Sequence, residues 1–372
     1  AIIRSVPVKV HLLLLGLVSL AAFALRFEGI GWPRLHPDEV VIGRWITRTA
    51  THSHIKEKVY PNGFFVLARP CCWLGEKIAY LKSYFAYKEE LCDRIVVPKA
   101  DPVMAARWFN VWTGTLICIL GYLLALQITS SRWAGVMVAT LLAFAQYPVE
   151  HSHYGETDMA MLLVLTFTLL LWAIAVNRKN IFWFITASIA SGFAAGTKFQ
   201  LSLFILLVIC FCFFRTRQPF FWKGGIYAIG YITLGLTCFS AGFIVSNPGV
   251  LDWNWFITGL ASEWIRVFRE TSLNLGELRS VPFFKASLHT HQLVKHCQTL
   301  GFGWIALAIA GVPCLLISRN YRRHWPILLL FPVVYLCYWI FGSPWVRSQE
   351  FLNFLPVFAV LALNLILYNE RN

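Results

Sequence analysis

Charged residues are scarce in this chain. Asp, Glu, Lys and Arg make up 13% of the 372 residues, whereas soluble domains carry about 25%. Hydrophobic residues make up 58%, which excludes a soluble or disordered class and indicates a polytopic membrane protein. The few charges sum to +14. Because the sequence has no basic soluble face, we attribute this excess to membrane anchoring and contact with membrane lipids, not to nucleic acid.

Metal-binding and redox cysteine motifs are also absent. The ten cysteines include no Cys-x-x-Cys pair, which disfavours a zinc ribbon or a thioredoxin-like site. A signal-peptide cleavage pattern is missing as well, because the first apolar run leads into Arg26-Phe27-Glu28 and not into small residues. We therefore expect this run to be a membrane span.

Long hydrophobic runs dominate what remains. The hydrocarbon core of a bilayer needs about 20 helical residues, and ten segments approach or exceed that length. They lie at 10–27, 104–128, 132–149, 157–176, 181–196, 199–214, 224–246, 298–317, 325–342 and 350–368. We predict an all-α polytopic membrane protein, with residues 1–372 forming one transmembrane domain.

Lys and Arg predict the orientation of these spans. With a cytoplasmic N-terminus, the loops that return to the cytoplasm hold Arg132, Arg178, Lys179, Arg215, Arg217, Lys223, Arg319, Arg322 and Arg323. The short loops on the other side hold only Lys198 and Arg347. The positive-inside rule therefore predicts that both termini are cytoplasmic.

Two long loops are expected on the external side, at 28–103 and 247–297. In the first, 38–54 has the pattern of an amphipathic helix lying on the membrane surface. Residues 64–80 are apolar but contain proline and charges, which favours an interfacial or re-entrant segment. The apolar runs 181–196 and 201–214 are short for full spans, so we expect Lys198 at their junction to sit recessed in a cavity.

Two adjacent acids, Asp38 and Glu39, open the first external loop. Pro37 is typical of a first helical position, so both acids fall in the first turn of a helix. One interpretation is that they only complement the helix dipole. The other is that one carboxylate is a general base facing the membrane, kept ionised by the helix N-terminus.

A second polar cluster spans 150–158 between the third and fourth spans. It holds three carboxylates and two histidines at the same side of the membrane as Asp38. Thr157 and Asp158 could simply cap and charge a helix start. Acids near a membrane are costly, however, and usually functional. A metal site formed by His151, His153 and these acids is a further alternative.

Two isolated cations, Lys198 and Arg347, lie on the same side. Each could be an interfacial side chain that snorkels to water. Alternatively, each could neutralise a buried phosphate and stabilise a leaving group. Acids and cations from four separate connections thus converge on one face of the membrane.

Taken together, these segments resemble the GT-C superfamily of polyprenyl-phosphate-sugar-dependent glycosyltransferases. The branch is the family 39-like one of protein O-mannosyltransferases and the lipid A aminoarabinose transferase. The resemblance is carried by His36-Pro37-Asp38-Glu39, Ala105-Ala106-Arg107-Trp108, Tyr154-Gly155-Glu156-Thr157-Asp158, Gly192 to Phe199, and Arg347 to Pro356.

The resemblance implies a GT-C-type bundle of about ten transmembrane helices, with amphipathic helices in the first external loop. It also implies a polyprenyl-phosphate sugar donor and a lipid, glycan or protein acceptor. Asp38 would be the catalytic base, with Glu39 in support. The second acid would be Asp158 or Glu156. The residues expected to bind substrate are Lys198, Arg347, His36, Tyr154 and Arg107.

The sequence therefore predicts an inverting glycosyltransferase in the bacterial inner membrane, with its site facing the periplasm. No cofactor is required if the cations hold the phosphate, and a divalent metal is the alternative. Two other functions share the membrane charges. One is a polyprenyl-lipid transporter or flippase, which should show an inverted repeat. The other is a non-catalytic membrane subunit that binds such a lipid.

Overall fold

The fold was analysed in a computed structural model. It describes residues 7–30, 39, 42, 63–71, 73–74, 102–216, 222–254, 256–259, 261, 306, 308–313, 323–330, 332–334 and 354–369. Within these residues the chain forms helices and short connections, with no β-strand. This confirms the predicted all-α class.

The α-helices follow the apolar runs of the sequence. They are α1 (Val8–Phe27), α2 (Pro102–Thr129), α3 (Arg132–Phe144), α4 (Gln146–Ser152), α5 (Asp158–Arg178), α6 (Ile181–Thr197), α7 (Ile205–Thr216), α8 (Trp222–Ser246) and α9 (Leu355–Asn369). Turns of 3-10 helix occupy Phe199–Phe204 and Pro248–Leu251, and a π-helical turn occupies Pro326–Leu330.

Four helices in the described part of the chain are long and apolar enough to cross a membrane. They are Val8–Phe27, Val103–Thr129, Asp158–Arg178 and Tyr227–Ser246. Each coincides with a predicted span, so those four predictions are confirmed. Most of the predicted span 298–317 and half of the predicted span 325–342 lie outside the described residues.

The predicted span 132–149 is wrong as a single helix. The structure ends α3 at Phe144 and starts α4 at Gln146, with Ala145 extended at φ −62° and ψ 123°. Pro148 supplies the physical reason. It has no N–H to donate to the carbonyl of Phe144, four residues earlier, so a continuous helix would lose a hydrogen bond there.

The predicted junction at Lys198 is present. Lys198 is extended at φ −150° and ψ 122° between α6 and the following 3-10 turn. The predicted span 199–214 is therefore not a single α-helix, because its first six residues form the 3-10 turn and α7 begins only at Ile205.

The core centres on α5, which packs against α2 and α6. Its side chains are largely buried, whereas few of the described residues of α1 and α8 are buried. Trp172 lies in this core and donates its indole N–H to Ser191 Oγ at 2.9 Å. A helix that is apolar all round and enclosed by others fits a central position in a bundle.

Glycines bring α6 and α8 into backbone contact. A Cβ added at Gly192 would collide with the carbonyl oxygen of Phe239, and one at Gly242 would collide with that of Ile189. Small residues at such crossings let membrane helices approach closely enough for extensive dispersion contact. The two helices consequently pack as a tight pair.

The helical segment 63–71 of the first external loop packs on the bundle. Phe64 and Phe65 are buried, with Phe109 of α2 and Ala160 of α5 in the same cluster. A Cβ at Gly63 would collide with Thr197. This segment therefore rests on the loop-side ends of α2, α5 and α6. Most of the predicted amphipathic helix 38–54 lies outside the described residues.

Candidate active site

The ends of α2, α5 and α6 gather polar side chains on one side of the bundle. Between α4 and α5 runs the loop 153–157, which we name the acid loop because it contains Glu156 and leads directly into Asp158. Beside it lie Glu39 of the first external loop and Lys198 of the α6 junction. The sequence predicted a convergence of acids and cations from four connections, of which Asp38 and Arg347 lie outside the described residues.

Glu39 and Arg107 form a buried ion pair with two parallel hydrogen bonds. Arg107 Nε donates to Glu39 Oε1 at 2.7 Å and Nη2 donates to Oε2 at 2.8 Å. The side chains are 0% and 5% exposed, respectively. Arg107 Nη1 also donates to the carbonyl of Ile30 at 2.9 Å. Such paired geometry is the strongest form of carboxylate recognition.

Glu39 also holds the acid loop. The backbone N–H of Gly155 donates to Glu39 Oε1 at 2.6 Å. Gly155 lies close against α2, because an added Cβ would come 2.8 Å from Ala106 Cβ. Glu39 therefore connects the first external loop, α2 and the acid loop. The sequence placed Glu39 in the right region but did not predict these partners.

Asn110 of α2 fixes the acid loop through two hydrogen bonds. It is fully buried, and its Nδ2 donates to the carbonyls of Tyr154 at 2.6 Å and Glu156 at 2.7 Å. Sequence reasoning missed Asn110. A polar amide inside the apolar run 104–128 was the signal that could have found it, because such residues are costly in a membrane.

Glu156 is buried and pairs with a histidine. His151 Nδ1 lies 3.3 Å from Glu156 Oε2, and the ring of Tyr147 stacks on His151. Burial lowers the pKa of His151. The hydrogen bond to Glu156 and the charges of Asp158, Glu156 and Glu150 outweigh that effect, so the pKa lies above its usual value.

Asp158 pairs with Lys198. The Lys198 Nζ lies 2.6 Å from Asp158 Oδ1. The side chain of Lys198 is 22% exposed and that of Asp158 is 6% exposed. Thr157 occupies the N-cap position of α5 as predicted, but its side chain makes no capping hydrogen bond. Asp158 therefore does more than complement a helix start, since it holds the cation of another helix.

Asn247, just after α8, holds the α6 end that carries Lys198. It is buried, and its Nδ2 donates to the carbonyl of Gly196 at 2.8 Å. Sequence reasoning assigned no role to Asn247. The structure gives it a capping role, because the carbonyls of a helix C-terminus lack partners within their own helix.

Among the residues that the structure describes, one group of three side chains has donor atoms suited to a metal ion. The donor atoms of His151, Glu156 and Asp158 lie within 4.8 Å of one another, and an imidazole with two carboxylates suits several divalent metals. Asp158 already has a cation, Lys198, at 2.6 Å. His153, expected in the same metal site, lies elsewhere, with Nε2 2.8 Å from the carbonyl of Glu28.

Arg26 is a buried cation that the sequence analysis did not single out as functional. It is fully buried near the end of α1. It donates to the carbonyls of Ala22 and Ala143 at 3.0 Å and of Leu142 at 2.9 Å. Leu142 and Ala143 lie in the last turn of α3, where a cation complements the helix dipole. Arg26 thus caps α3 at the break that leads to α4.

Three predicted site residues lie outside the described residues: His36, Asp38 and Arg347. Tyr154 is described, and its backbone carbonyl is the part that meets Asn110. The structure thus brings together Glu39, Arg107, the acid loop, Asp158 and Lys198.

Comparison with known proteins identifies a related family. The family model described as dolichyl-phosphate-mannose-protein mannosyltransferase matches residues 72–257. An uncharacterized protein of Aquifex aeolicus is 27% identical over 116 residues. That alignment covers 31% of this chain and 23% of the Aquifex protein.

The fold is similar to that of the Archaeoglobus fulgidus oligosaccharyltransferase. Its apo crystal structure superposes with a TM-score of 0.58 at 14% identity, covering 97% of this chain and 51% of that one. The complex with an inhibitory peptide and a dolichol-phosphate gives a TM-score of 0.57 at 14% identity, covering 97% and 50%. The chain therefore spans about half of the solved structures it resembles, and the likeness shows a shared GT-C-type fold.

Proposed function

This chain belongs to the dolichyl-phosphate-mannose-protein mannosyltransferase family, and from that premise we propose that it is a membrane glycosyltransferase. The donor would be a polyprenyl-phosphate sugar and the acceptor a hydroxyl of a lipid, glycan or protein. We propose further that transfer inverts the anomeric configuration, and that it occurs on the periplasmic face of a bacterial inner membrane. The positive-inside pattern of the sequence supports that face.

One observation carries this proposal. Lys198 and Asp158, from the ends of two different helices, pair beside the buried Glu156 at a single loop cluster. A cation set against acids at a membrane boundary suits a reaction that separates a phosphate from a sugar while deprotonating an alcohol.

The reaction can be written with its bonds balanced. The oxygen of the acceptor hydroxyl attacks the anomeric carbon from the side opposite the phosphate. The bond from that carbon to the phosphate oxygen breaks, and its electron pair leaves with the polyprenyl phosphate. Asp38 takes the hydroxyl proton. Lys198 and Arg347 stabilise the phosphate, and Asp158 or Glu156 orients the acceptor or sugar. No metal is required in this scheme.

The exposed fraction of the cations separates two roles. The side chain of Lys198 is 22% exposed and therefore reachable by a ligand, whereas that of Arg107 is 5% exposed and holds Glu39. We therefore assign phosphate contact to Lys198 and replace the substrate-binding role expected for Arg107 with a positioning role through Glu39. Asp38 and Arg347 enter from the sequence alone.

The test is a transfer assay with purified protein. The protein is incubated with labelled polyprenyl-phosphate sugars and a membrane extract, with and without a metal chelator, and the labelled product is identified. The wild type should form a new glycosidic bond under both conditions. Asp38→Asn should abolish formation of this bond while leaving expression and melting temperature unchanged. Near-normal turnover by Asp38→Asn would refute the assignment of the base.

Two other outcomes would favour the rival functions. Movement of the labelled lipid between leaflets of a vesicle, without a new bond, would indicate a transporter. Tight binding of the donor with neither movement nor transfer, unchanged by neutral replacement of Asp38 and Asp158, would indicate a non-catalytic subunit.

A further inference from the structure

We propose that Asn110 is a positioning residue that sets the direction of Glu156 toward the bound sugar by fixing the acid loop. This rests on the proposed transferase function. Asn110 would not touch substrate. It would act through the backbone of the acid loop, which has no regular secondary structure of its own.

The hydrogen bonds of Asn110 define the loop conformation. Its two amide hydrogens go to two carbonyls that flank Gly155, at 2.6 and 2.7 Å. Both acceptors are carbonyl oxygens, so the nitrogen of the amide must face them. Glu39 accepts the N–H of Gly155 at 2.6 Å. Side chains of other elements thereby hold two peptide groups of the loop: the Tyr154–Gly155 group through both its carbonyl and its N–H, and the Glu156–Thr157 group through its carbonyl.

This arrangement is costly unless it is complete. Buried backbone carbonyls need partners, and the acid loop obtains these two from a side chain. Asn110 Oδ1 has no hydrogen-bond partner. The amide is therefore placed for its donors, which is the half that the loop uses. Gly155 adds to the fit, since Ala106 leaves no room there for a side chain.

The catalytic consequence follows from geometry. Asn110 holds the backbone carbonyl of Glu156, and the side-chain carboxylate of the same residue contacts His151. A misplacement of about 1 Å in such a group can lower a rate about 100-fold. Releasing the loop should therefore slow the chemical step more than it weakens binding of the donor.

The chain offers a matched control in Asn177 of α5. Its Nδ2 also donates to two acceptors, the backbone carbonyl of Gln127 at 2.8 Å and its Oε1 at 3.2 Å, and its Oδ1 is likewise unpartnered. Asn177 lies near the end of α5 opposite the acid loop. The same substitution at the two positions removes the same chemistry from different places.

The experiment compares Asn110→Asp, Asn110→Ser and Asn177→Asp. Aspartate keeps the shape of asparagine but turns its donors into acceptors, and serine keeps one donor. We expect Asn110→Asp to lower kcat about 100-fold, with the KM for donor changed less than about threefold. Asn110→Ser should be intermediate, and Asn177→Asp should leave both constants within about threefold. Equal losses at the two positions, or a loss carried by KM alone, would overturn the proposal.

Hydrogen exchange supplies a readout that does not require activity. The amides of the acid loop should exchange faster in Asn110→Asp and Asn110→Ser than in the wild type. Their exchange rate in Asn177→Asp should equal that of the wild type. Unchanged exchange in all three variants would refute the proposal that Asn110 fixes the acid loop. A wild type that transfers no sugar would refute the proposed function and the effect on rate. Exchange would still decide whether Asn110 holds the loop, so the two failures are distinguishable.

Discussion

Removing one charge of the Glu39–Arg107 pair should cost more stability than removing both. In Glu39→Gln, one amide oxygen can still accept from Arg107 and from Gly155. The amide nitrogen, however, would face the Arg107 Nη2 donor, which is now 2.8 Å from Oε2. In Arg107→Met, the carboxylate stays buried without its guanidinium. Breaking a buried pair in this way costs about 3–5 kcal/mol.

The double variant Glu39→Gln/Arg107→Met removes both charges and keeps an acceptor for Gly155. Its main remaining defect is the carbonyl of Ile30, which loses the 2.9 Å hydrogen bond from Arg107. An unsatisfied buried acceptor costs about 1–3 kcal/mol. The double variant should therefore be more stable than either single variant, although additive effects would sum to about 6–10 kcal/mol.

The assay is denaturation of the four proteins in mild detergent, followed by tryptophan fluorescence. The expected order of stability is wild type, then the double variant, then the two single variants. Arg178→Met serves as the control, because Arg178 is exposed, and it should change stability by less than about 0.5 kcal/mol. A double variant whose loss equals the sum of the single losses would show that the two side chains are not coupled.

Three other predictions follow from described contacts. Gly242→Ala should destabilise the protein by about 1–3 kcal/mol because its Cβ meets α6. Gly230→Ala in the same helix should be neutral or stabilising, because a Cβ there meets nothing within 4 Å. Equal melting temperatures of the two variants would contradict the close crossing of α6 and α8. Lys198→Met should lower kcat/KM for the donor about 10- to 150-fold, the value of a charged hydrogen bond of about 1.5–3 kcal/mol. Lys179→Met, at the exposed C-cap of α5, should have no effect. Equal kinetics in the two variants would remove Lys198 from phosphate binding. His151 has a raised pKa in the folded protein, so its stabilising contribution should be complete below the unfolded pKa of about 6.5 and be lost as pH rises through the folded value. The melting temperatures of wild type and His151→Gln should therefore converge as pH increases. A difference in melting temperature that widens with pH would refute the pairing.

The long helices could be predicted from the sequence because an apolar run of about 20 residues has one stable solution in a bilayer. The runs that became α1, α2, α5 and α8 are of this kind. The break at Ala145 was missed because one proline inside an apolar run can mark either a kink or an end. The 3-10 turn after Lys198 has no comparable sequence signal.

The site was predictable as a region but not as a set of partners. Positive-inside counting put Asp158 and Lys198 on one face, which needs no knowledge of contacts. Their pairing joins residues 40 positions apart, and that of Glu39 with Arg107 joins residues 68 apart. Such pairs follow from how the helices pack, which a single sequence does not encode locally.

The capping of α3 by Arg26 has a consequence for biosynthesis. The carbonyls of Leu142 and Ala143 are 116 and 117 residues downstream of Arg26. At about 5–20 residues per second, a ribosome takes about 6–23 s to make that length of chain. Throughout that interval the nascent first helix carries a guanidinium whose α3 partners do not yet exist, at a cost of up to about 2.5–3.5 kcal/mol if it lies at mid-membrane. Arg26 lies in the last turn of α1, so it can stay near the interface until α3 emerges and its carbonyls cover the guanidinium.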